Sequence, residues 1–305
     1  MRIQARWWLV PWLLLAATAQ VVGFEVVRRV FVDTAAGQRL DTAALAGNTI
    51  GWRHIDELVS LVLGAMTVVS LLVVTAAIGF IALMRRQLMV ALLATALIAG
   101  ANLTTQVIKA TLHRPEFGID LARAAAGNSL PSGHTTVAAS VAVALALVLP
   151  GRLRAVAAVL GAGYAALVGV ATLAAGWHRP SDAVAALLIV GAWAAAVGLV
   201  LALRYQPAPG PVTGFDRLCR LGLCGMGVVL VAAALAAMVA TEQSLAAFGD
   251  GGLGRRQLFT AYAGGAAGIA GVTCLVVGAV LATAHLVLPQ RPGDSDEPIR
   301  AGAGR

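Results

Sequence analysis

The chain has 305 residues, of which 59% are hydrophobic and only 12% are charged. Soluble domains carry about twice that fraction of charged residues, so the composition excludes an ordinary soluble protein and indicates an integral membrane protein. The net charge of +8 is scattered over loops and termini and forms no block suited to nucleic acid. We therefore expect the bilayer as a partner and no nucleic acid.

Eight apolar stretches approach or exceed the roughly 20 residues that a membrane-crossing helix needs. They predict an all-α, polytopic membrane helix bundle of about eight spans. The stretches are Trp7–Phe24, Leu58–Met84, Leu88–Ile108, Thr135–Leu149, Ala155–Ala175, Asp182–Leu203, Leu221–Ala240 and Phe259–Leu288. The fourth is short, and its helix is expected to begin nearer Ser132.

The regions outside the spans differ in character. Arg2, Arg6, an apolar core and Ala17-Thr18-Ala19 also fit a cleavable signal peptide, which is the alternative to a retained first helix. Residues 25–57 are mixed in charge and predict a small external cap. Residues 289–305 are rich in Pro, Gly and charge, which predicts a disordered tail.

Basic residues predict the orientation. The short connections Arg85-Arg86 and Gly151–Arg154 carry only positive charge, as cytoplasmic loops do, and place both chain termini in the cytoplasm. The loops at 109–131 and 176–181 are separated by two spans, so they lie on the same face whatever the orientation. With cytoplasmic termini, that face is extracytoplasmic.

His178 and Asp182 flank the start of the predicted sixth span. Pro180 suits the first turn of a helix, where its missing N–H costs nothing, so Asp182 is expected within that turn. A carboxylate there can accept one imidazole N–H and leave the other ring nitrogen free to attack, as in covalent catalysis. The alternative is an interfacial histidine beside a helix-capping aspartate.

A second histidine lies in Pro131-Ser132-Gly133-His134, at the start of the fourth span. Gly133 lets backbone N–H groups approach an anion, the helix directs its positive end there, and Ser132 offers a hydroxyl donor. Because histidine titrates near neutrality, His134 suits a general acid. The alternative is a serine-capped helix with an incidental histidine.

Lys109 and Arg114 follow the third span, on the same face as both histidines. Their charges suit phosphate oxygens and the negative charge of a phosphoryl transition state. The alternative is interfacial anchoring, in which the charged ends extend from the bilayer into water.

In chain order, these segments resemble the motifs of the type 2 phosphatidic acid phosphatase superfamily, whose catalytic fold is shared with vanadium haloperoxidases. The motifs are Lys109…Arg114-Pro115, Pro131-Ser132-Gly133-His134 and His178-x-x-x-Asp182. The resemblance implies a six-helix phosphatase-like core at 1–203, followed by two additional transmembrane helices at 204–288. Six core helices require the first span, so we predict that it is retained.

The resemblance also implies the roles of individual residues. His178 would be the nucleophile that forms a phosphohistidine, Asp182 would orient it, and His134 would protonate the leaving group. The phosphate would be bound by Lys109, Arg114, Ser132 and Gly133. The implied reaction uses no metal and no cofactor.

Two departures from the family pattern concern the cations. The family usually has six residues between the lysine and Arg-Pro, whereas Ala110–His113 gives four. On a helix this spacing would place Arg114 about 140° from Lys109, but Pro115 disfavours helix at Arg114, so the two cations can still converge.

The second departure removes a cation. The third motif usually begins with Ser-Arg, and this chain has Ala171-Thr172 there. Losing one such anion donor typically costs a few kcal/mol of transition-state stabilisation. Thr172 can supply a hydrogen bond without charge, and Arg179 or Arg123 could replace the missing arginine.

The resemblance therefore implies an integral membrane lipid phosphatase. The Ala- and Arg-rich sequence is typical of a bacterial protein, so we expect a bacterial plasma membrane and a role in the cell envelope. Its substrate would be a lipid phosphomonoester or pyrophosphate, such as an isoprenyl pyrophosphate, phosphatidic acid or phosphatidylglycerol phosphate. One alternative is a phosphotransferase, in which a lipid or sugar hydroxyl attacks the phosphohistidine. Another is a lipid-phosphate binder or transporter with a decayed site. A haloperoxidase is disfavoured, because those enzymes are soluble and this site offers few cations for vanadate.

Overall fold

The computed structural model describes residues 8–49, 75–81, 84, 86–120, 128–205, 212–249 and 251–288. All regular secondary structure within these ranges is helical, which confirms the predicted all-α class. Most of the predicted second span lies outside the described residues, as do Arg123 and the predicted disordered tail.

Residues 75–81 are helical, and eight further helices have defined bounds, together with a short 3-10 turn at Gly47–Thr49. They are α1 (Leu9–Phe31), α2 (Ala35–Ala46), α3 (Leu88–Thr111), α4 (Gly133–Val148), α5 (Gly151–Ala174), α6 (Pro180–Arg204), α7 (Gly214–Phe248) and α8 (Arg255–Val287). Six of them (α1, α3, α5, α6, α7 and α8) are long and apolar enough to cross a bilayer, whereas α4 has 16 residues. The chain is a multi-pass membrane protein.

The first helix continues past its predicted end at Phe24 into the residues predicted to form an external cap. Glu25 pairs with Arg28 at 2.7 Å and with Arg29 at 2.6 Å. Side chains three and four residues apart share one face of a helix, so these ion pairs favour its continuation to Phe31. The chain then turns at once into α2, which was not predicted.

Close helix contacts fix the elements that carry the predicted site. A Cβ on Gly100 in α3 would lie 2.5 Å from the ring of Trp193 in α6, and the hydroxyls of Thr105 in α3 and Thr136 in α4 are 2.9 Å apart. Small residues and interhelical hydrogen bonds are the means by which helices associate in lipid, where the hydrophobic effect does not drive them together. These contacts hold α3 against α4 and α6.

The last helix also packs against the predicted core. α7 lies mainly against α8, whereas α8 lies against α2, α5 and α6 as well. A Cβ on Gly265 in α8 would lie 2.5 Å from Pro180 in α6, and a Cβ on Gly169 in α5 would lie 2.6 Å from Ile269 in α8. α8 therefore supports the helices that carry the site, while the division of the chain at residue 203 stays a prediction.

Candidate active site

Ser132 caps the start of α4. Its Oγ accepts hydrogen bonds from the backbone N–H of Thr135 at 3.4 Å and from the Thr135 hydroxyl at 3.0 Å. The side chain is fully buried, and both hydrogen bonds described for its oxygen are ones that it accepts at the helix start. The first N–H groups of a helix have no partner within it, and among the described residues those of Gly133 and His134 have no backbone acceptor, so they can serve an anion.

The turn between α5 and α6 presents His178. The backbone N–H groups of Trp177 and His178 donate to the Thr172 carbonyl at 2.9 and 3.2 Å. The Thr172 hydroxyl is fully buried and donates to the carbonyl of Gly169 at 2.8 Å. Thr172 therefore holds the turn through its backbone, and its hydroxyl is committed within α5 instead of facing an anion.

One carboxylate oxygen of Asp182 contacts three hydrogen-bond donors. Its Oδ2 lies 3.3 Å from Nδ1 of His178, accepts the backbone N–H of Arg179 at 3.0 Å, and accepts the hydroxyl of Ser129 at 2.7 Å. α6 begins at Pro180, so Asp182 lies in its first turn, as predicted. A proton on Nδ1, the assignment that satisfies the carboxylate, leaves the lone pair of Nε2 free.

His134 faces His178 across a short gap. The ring centroids are 6.5 Å apart with an interplanar angle of 61°, and the half-exposed Trp177 lies 5.5 Å from the His134 ring. Reacting atoms approach to about 3–3.5 Å in a productive complex. Two rings at this separation are therefore close enough to reach the same phosphoryl group.

Arg114 and Arg179 line a polar cavity of about 200 Å³. Nη2 of Arg114 donates to the carbonyl of Phe31 at 2.9 Å and lies 3.7 Å from Asp41. Nη2 of Arg179 donates to Asp120 at 2.7 Å. Among the described residues, Nε of both arginines and Nη1 of Arg114 are buried without a hydrogen-bond partner, so these groups can serve an anion.

Lys109 and Arg114 have different neighbours. Lys109 is half-buried in the last turn of α3, within coulombic range of His134. α3 ends at Thr111 and the chain is extended at Leu112, which carries Arg114 towards α1 and α2. Neither histidine is among the described residues that line the arginine cavity. The cations therefore lie in two places, one beside His134 and the other beside Asp182.

The segment that carries this site is similar to a known protein family. Residues 87–206 match the model of the PAP2 superfamily. This region is similar to the PAP2 superfamily. The matched range contains all the predicted site residues, and this similarity together with the membrane-crossing helices supports a phosphatase-type lipid enzyme. The comparisons with curated proteins and with solved structures give no match.

Two residues beside the PAP2 motifs were not predicted. Ser129 lies three residues before Ser132, and only its contact with Asp182 identifies it. Asp41 precedes the PAP2 region and lies 140 residues from its partner Ser181. Neither residue belongs to a recognisable local pattern, because both act through contacts that form only when the helices pack.

Gly176 allows the PAP2 turn that carries His178, since its φ is 70°. A side chain in this left-handed region costs about 1–2 kcal/mol, so Gly176→Ala is expected to lower the thermal midpoint in detergent and to reduce activity. Gly163→Ala is the control, because Gly163 lies inside α5 with open space at its Cβ position. That change should raise stability by about 0.5–1 kcal/mol. Equal midpoints for Gly176→Ala and wild type would contradict the prediction.

Proposed function

We propose that this protein hydrolyses a phosphomonoester or pyrophosphate of a membrane lipid through a phosphohistidine on His178. The observation that carries the proposal is the facing pair of histidines, 6.5 Å apart, with Nδ1 of His178 held by Asp182. This arrangement supplies a nucleophile, a residue that orients it and an opposed acid. It performs the tasks of a two-step phosphoryl transfer.

In the first step, Nε2 of His178 attacks the terminal phosphorus and the bond from that phosphorus to the leaving oxygen breaks. His134 donates a proton to that oxygen, and the lipid leaves as an alcohol from a phosphomonoester or as a lipid monophosphate from a pyrophosphate. In the second step, a water molecule loses a proton to His134 and its oxygen attacks phosphorus. The N–P bond breaks, inorganic phosphate leaves, and both histidines regain their starting states.

Several groups would stabilise the negative charge of the phosphoryl group. The backbone N–H groups of Gly133 and His134 lie at the positive end of α4, and Lys109 adds a charge on the same side. Arg114 and Arg179 hold unpartnered N–H groups on the Asp182 side. We infer that these groups replace the family's missing arginine, with no role for a metal.

The location of the site suits a lipid substrate. His134 and His178 adjoin the starts of α4 and α6, so the phosphate can stay at headgroup depth while the tails remain in the bilayer. We infer an extracytoplasmic site and cytoplasmic termini from the basic loops. α1 packs along α6, where a Cβ on Gly198 would lie 3.2 Å from Leu13, which supports a retained first helix.

The proposal predicts phosphate release by detergent-purified protein from at least one lipid phosphate. The panel comprises an isoprenyl pyrophosphate, phosphatidic acid and phosphatidylglycerol phosphate, measured with and without EDTA. We expect release that EDTA does not change, because His178 and His134 perform the chemistry themselves. Strong inhibition by EDTA would contradict the metal-free mechanism, and a new phosphorylated lipid or sugar instead of free phosphate would identify a phosphotransferase.

A further inference from the structure

The helix α2, which precedes the PAP2 region, contacts two of its motifs. Gln38 and Asp41 are three residues apart and share one face of α2. Nε2 of Gln38 donates to the carbonyl of Pro115 at 2.9 Å, and Asp41 lies 3.7 Å from Arg114. This face therefore holds the segment that carries Arg114.

The same face holds the start of α6. Oδ1 of Asp41 accepts the backbone N–H of Ser181 at 3.1 Å, and Oδ2 accepts the Ser181 hydroxyl at 2.5 Å. The N–H groups of a first helical turn lack partners within the helix. The residue at the N-cap of α6 is Arg179, whose side chain makes no cap hydrogen bond. Asp41 thus provides, from another helix, the acceptor that the local sequence lacks.

We propose that Asp41 is a positioning residue, which fixes the first turn of α6 and the guanidinium of Arg114 so that Asp182 holds His178 in its attacking orientation. Ser181 is the direct neighbour of Asp182, so a shift of the first turn moves the carboxylate that orients His178. The inference rests on the proposed function for its effect on turnover. Its effect on the His178 ring is independent of that function.

Burial disfavours the charged form of Asp41. Asp41 is 2% exposed. Burial and the negative charge of Asp182 raise its pKa to about 6, although the hydrogen bond from Ser181 and the charges of Arg114 and Arg179 lower it. Since this pKa exceeds the ordinary value of 3.8, the protonated form favours folding, and that stabilisation is lost as the pH rises through about 6.

Two variants separate positioning from folding. Asp41→Asn resembles the protonated aspartate: it removes the charge, keeps one acceptor oxygen for the Ser181 N–H and places an amide donor beside the Ser181 hydroxyl, which can accept from it. It is therefore expected to fold at pH 8 with a midpoint no lower than that of wild type. Asp41→Ala removes the acceptor as well. We expect kcat to fall by about tenfold to a hundredfold in Asp41→Ala, with a smaller loss in Asp41→Asn and little change in KM.

The direct readout is nitrogen NMR of histidine-labelled protein in detergent, in which the His178 signal is assigned by its loss in His178→Ala. Wild type should show one neutral tautomer with the proton on Nδ1, whereas Asp41→Ala and Asp41→Asn should show a mixture. The control is Asp33→Asn, because Asp33 is exposed and pairs only with Arg28 among the contacts described for its side chain. Its spectrum and kcat should match wild type.

Wild-type tautomers in both Asp41 variants would overturn the inference, as would a loss of turnover without a change at His178. Wild-type protein that releases no phosphate from any lipid would instead overturn the proposed function. The tautomer comparison would still decide whether Asp41 positions His178, because it requires no substrate.

Discussion

His178→Ala is expected to reduce phosphate release by at least about 10³-fold, because it removes the atom that forms the covalent intermediate. The remaining donors can bind the substrate but cannot attack phosphorus. The measurement is the initial rate of phosphate release from the best lipid substrate, with wild type and variant at equal folded concentration. His285→Ala is the matched control, since His285 lies in the last turn of α8, at the end opposite the site, and this change should leave the rate unaltered.

The same variant tests the phosphohistidine directly. Brief incubation of wild type with a substrate labelled in its phosphate, followed by denaturation, should leave label on the protein. That label should survive alkali and be lost in acid, as expected of a nitrogen–phosphorus bond, and should be absent from His178→Ala. Phosphate release by His178→Ala at the wild-type rate would exclude His178 as the nucleophile. If neither protein releases phosphate but both bind lipid phosphate equally, the site is a binder.

Local patterns predicted the described membrane helices and the start of α6 beside His178. Apolar stretches were sufficient to locate the described spans, and Pro180 correctly placed the start of α6. The predicted helix boundaries were less accurate where charged side chains pair with each other inside a helix, as Glu25 and Arg28 do. A charged residue considered alone indicates a loop. The intrahelical ion pairs become evident only when the helical spacing is assumed.

The arrangement of the anion donors was harder to predict. Ser132 and Thr172 carry hydroxyls at motif positions, but both hydroxyls are buried in helix-end contacts. A sequence shows which side chains can donate, whereas the three-dimensional structure determines which partner each one meets. Arg114 likewise turns towards Asp41 and Phe31, and both of those residues lie more than 70 positions earlier in the chain.

These contacts give Asp182 a central place in the site. Its Oδ2 joins the turn of His178 to Ser129 in the segment before α4, and its own backbone carbonyl accepts the N–H of Ser132 at 2.9 Å. The carboxylate therefore links the two segments that carry the histidines. Its charge also balances the arginines of the neighbouring cavity.

Asp182→Asn is expected to lower kcat by about 10³- to 10⁴-fold while changing stability far less. The hydrogen bonds from Ser181 to Asp41 are unchanged and retain the first turn of α6. An amide nitrogen in place of Oδ2 no longer accepts the N–H of Arg179, and it can donate to Nδ1 of His178, which favours the tautomer with the proton on Nε2. That tautomer has no lone pair with which to attack phosphorus. The measurements are kcat and KM on the best lipid substrate and the thermal midpoint in detergent.

Asp216→Asn is the matched control, because Asp216 occupies the same third position of α7 and accepts the N–H of its N-cap residue Thr213 at 3.2 Å. It shares the helix-capping role of Asp182 without a histidine partner. A similar small change of midpoint in both variants, with turnover lost only in Asp182→Asn, would assign the carboxylate to the chemistry of His178. Turnover within about tenfold of wild type in Asp182→Asn would show that helix capping is its main role.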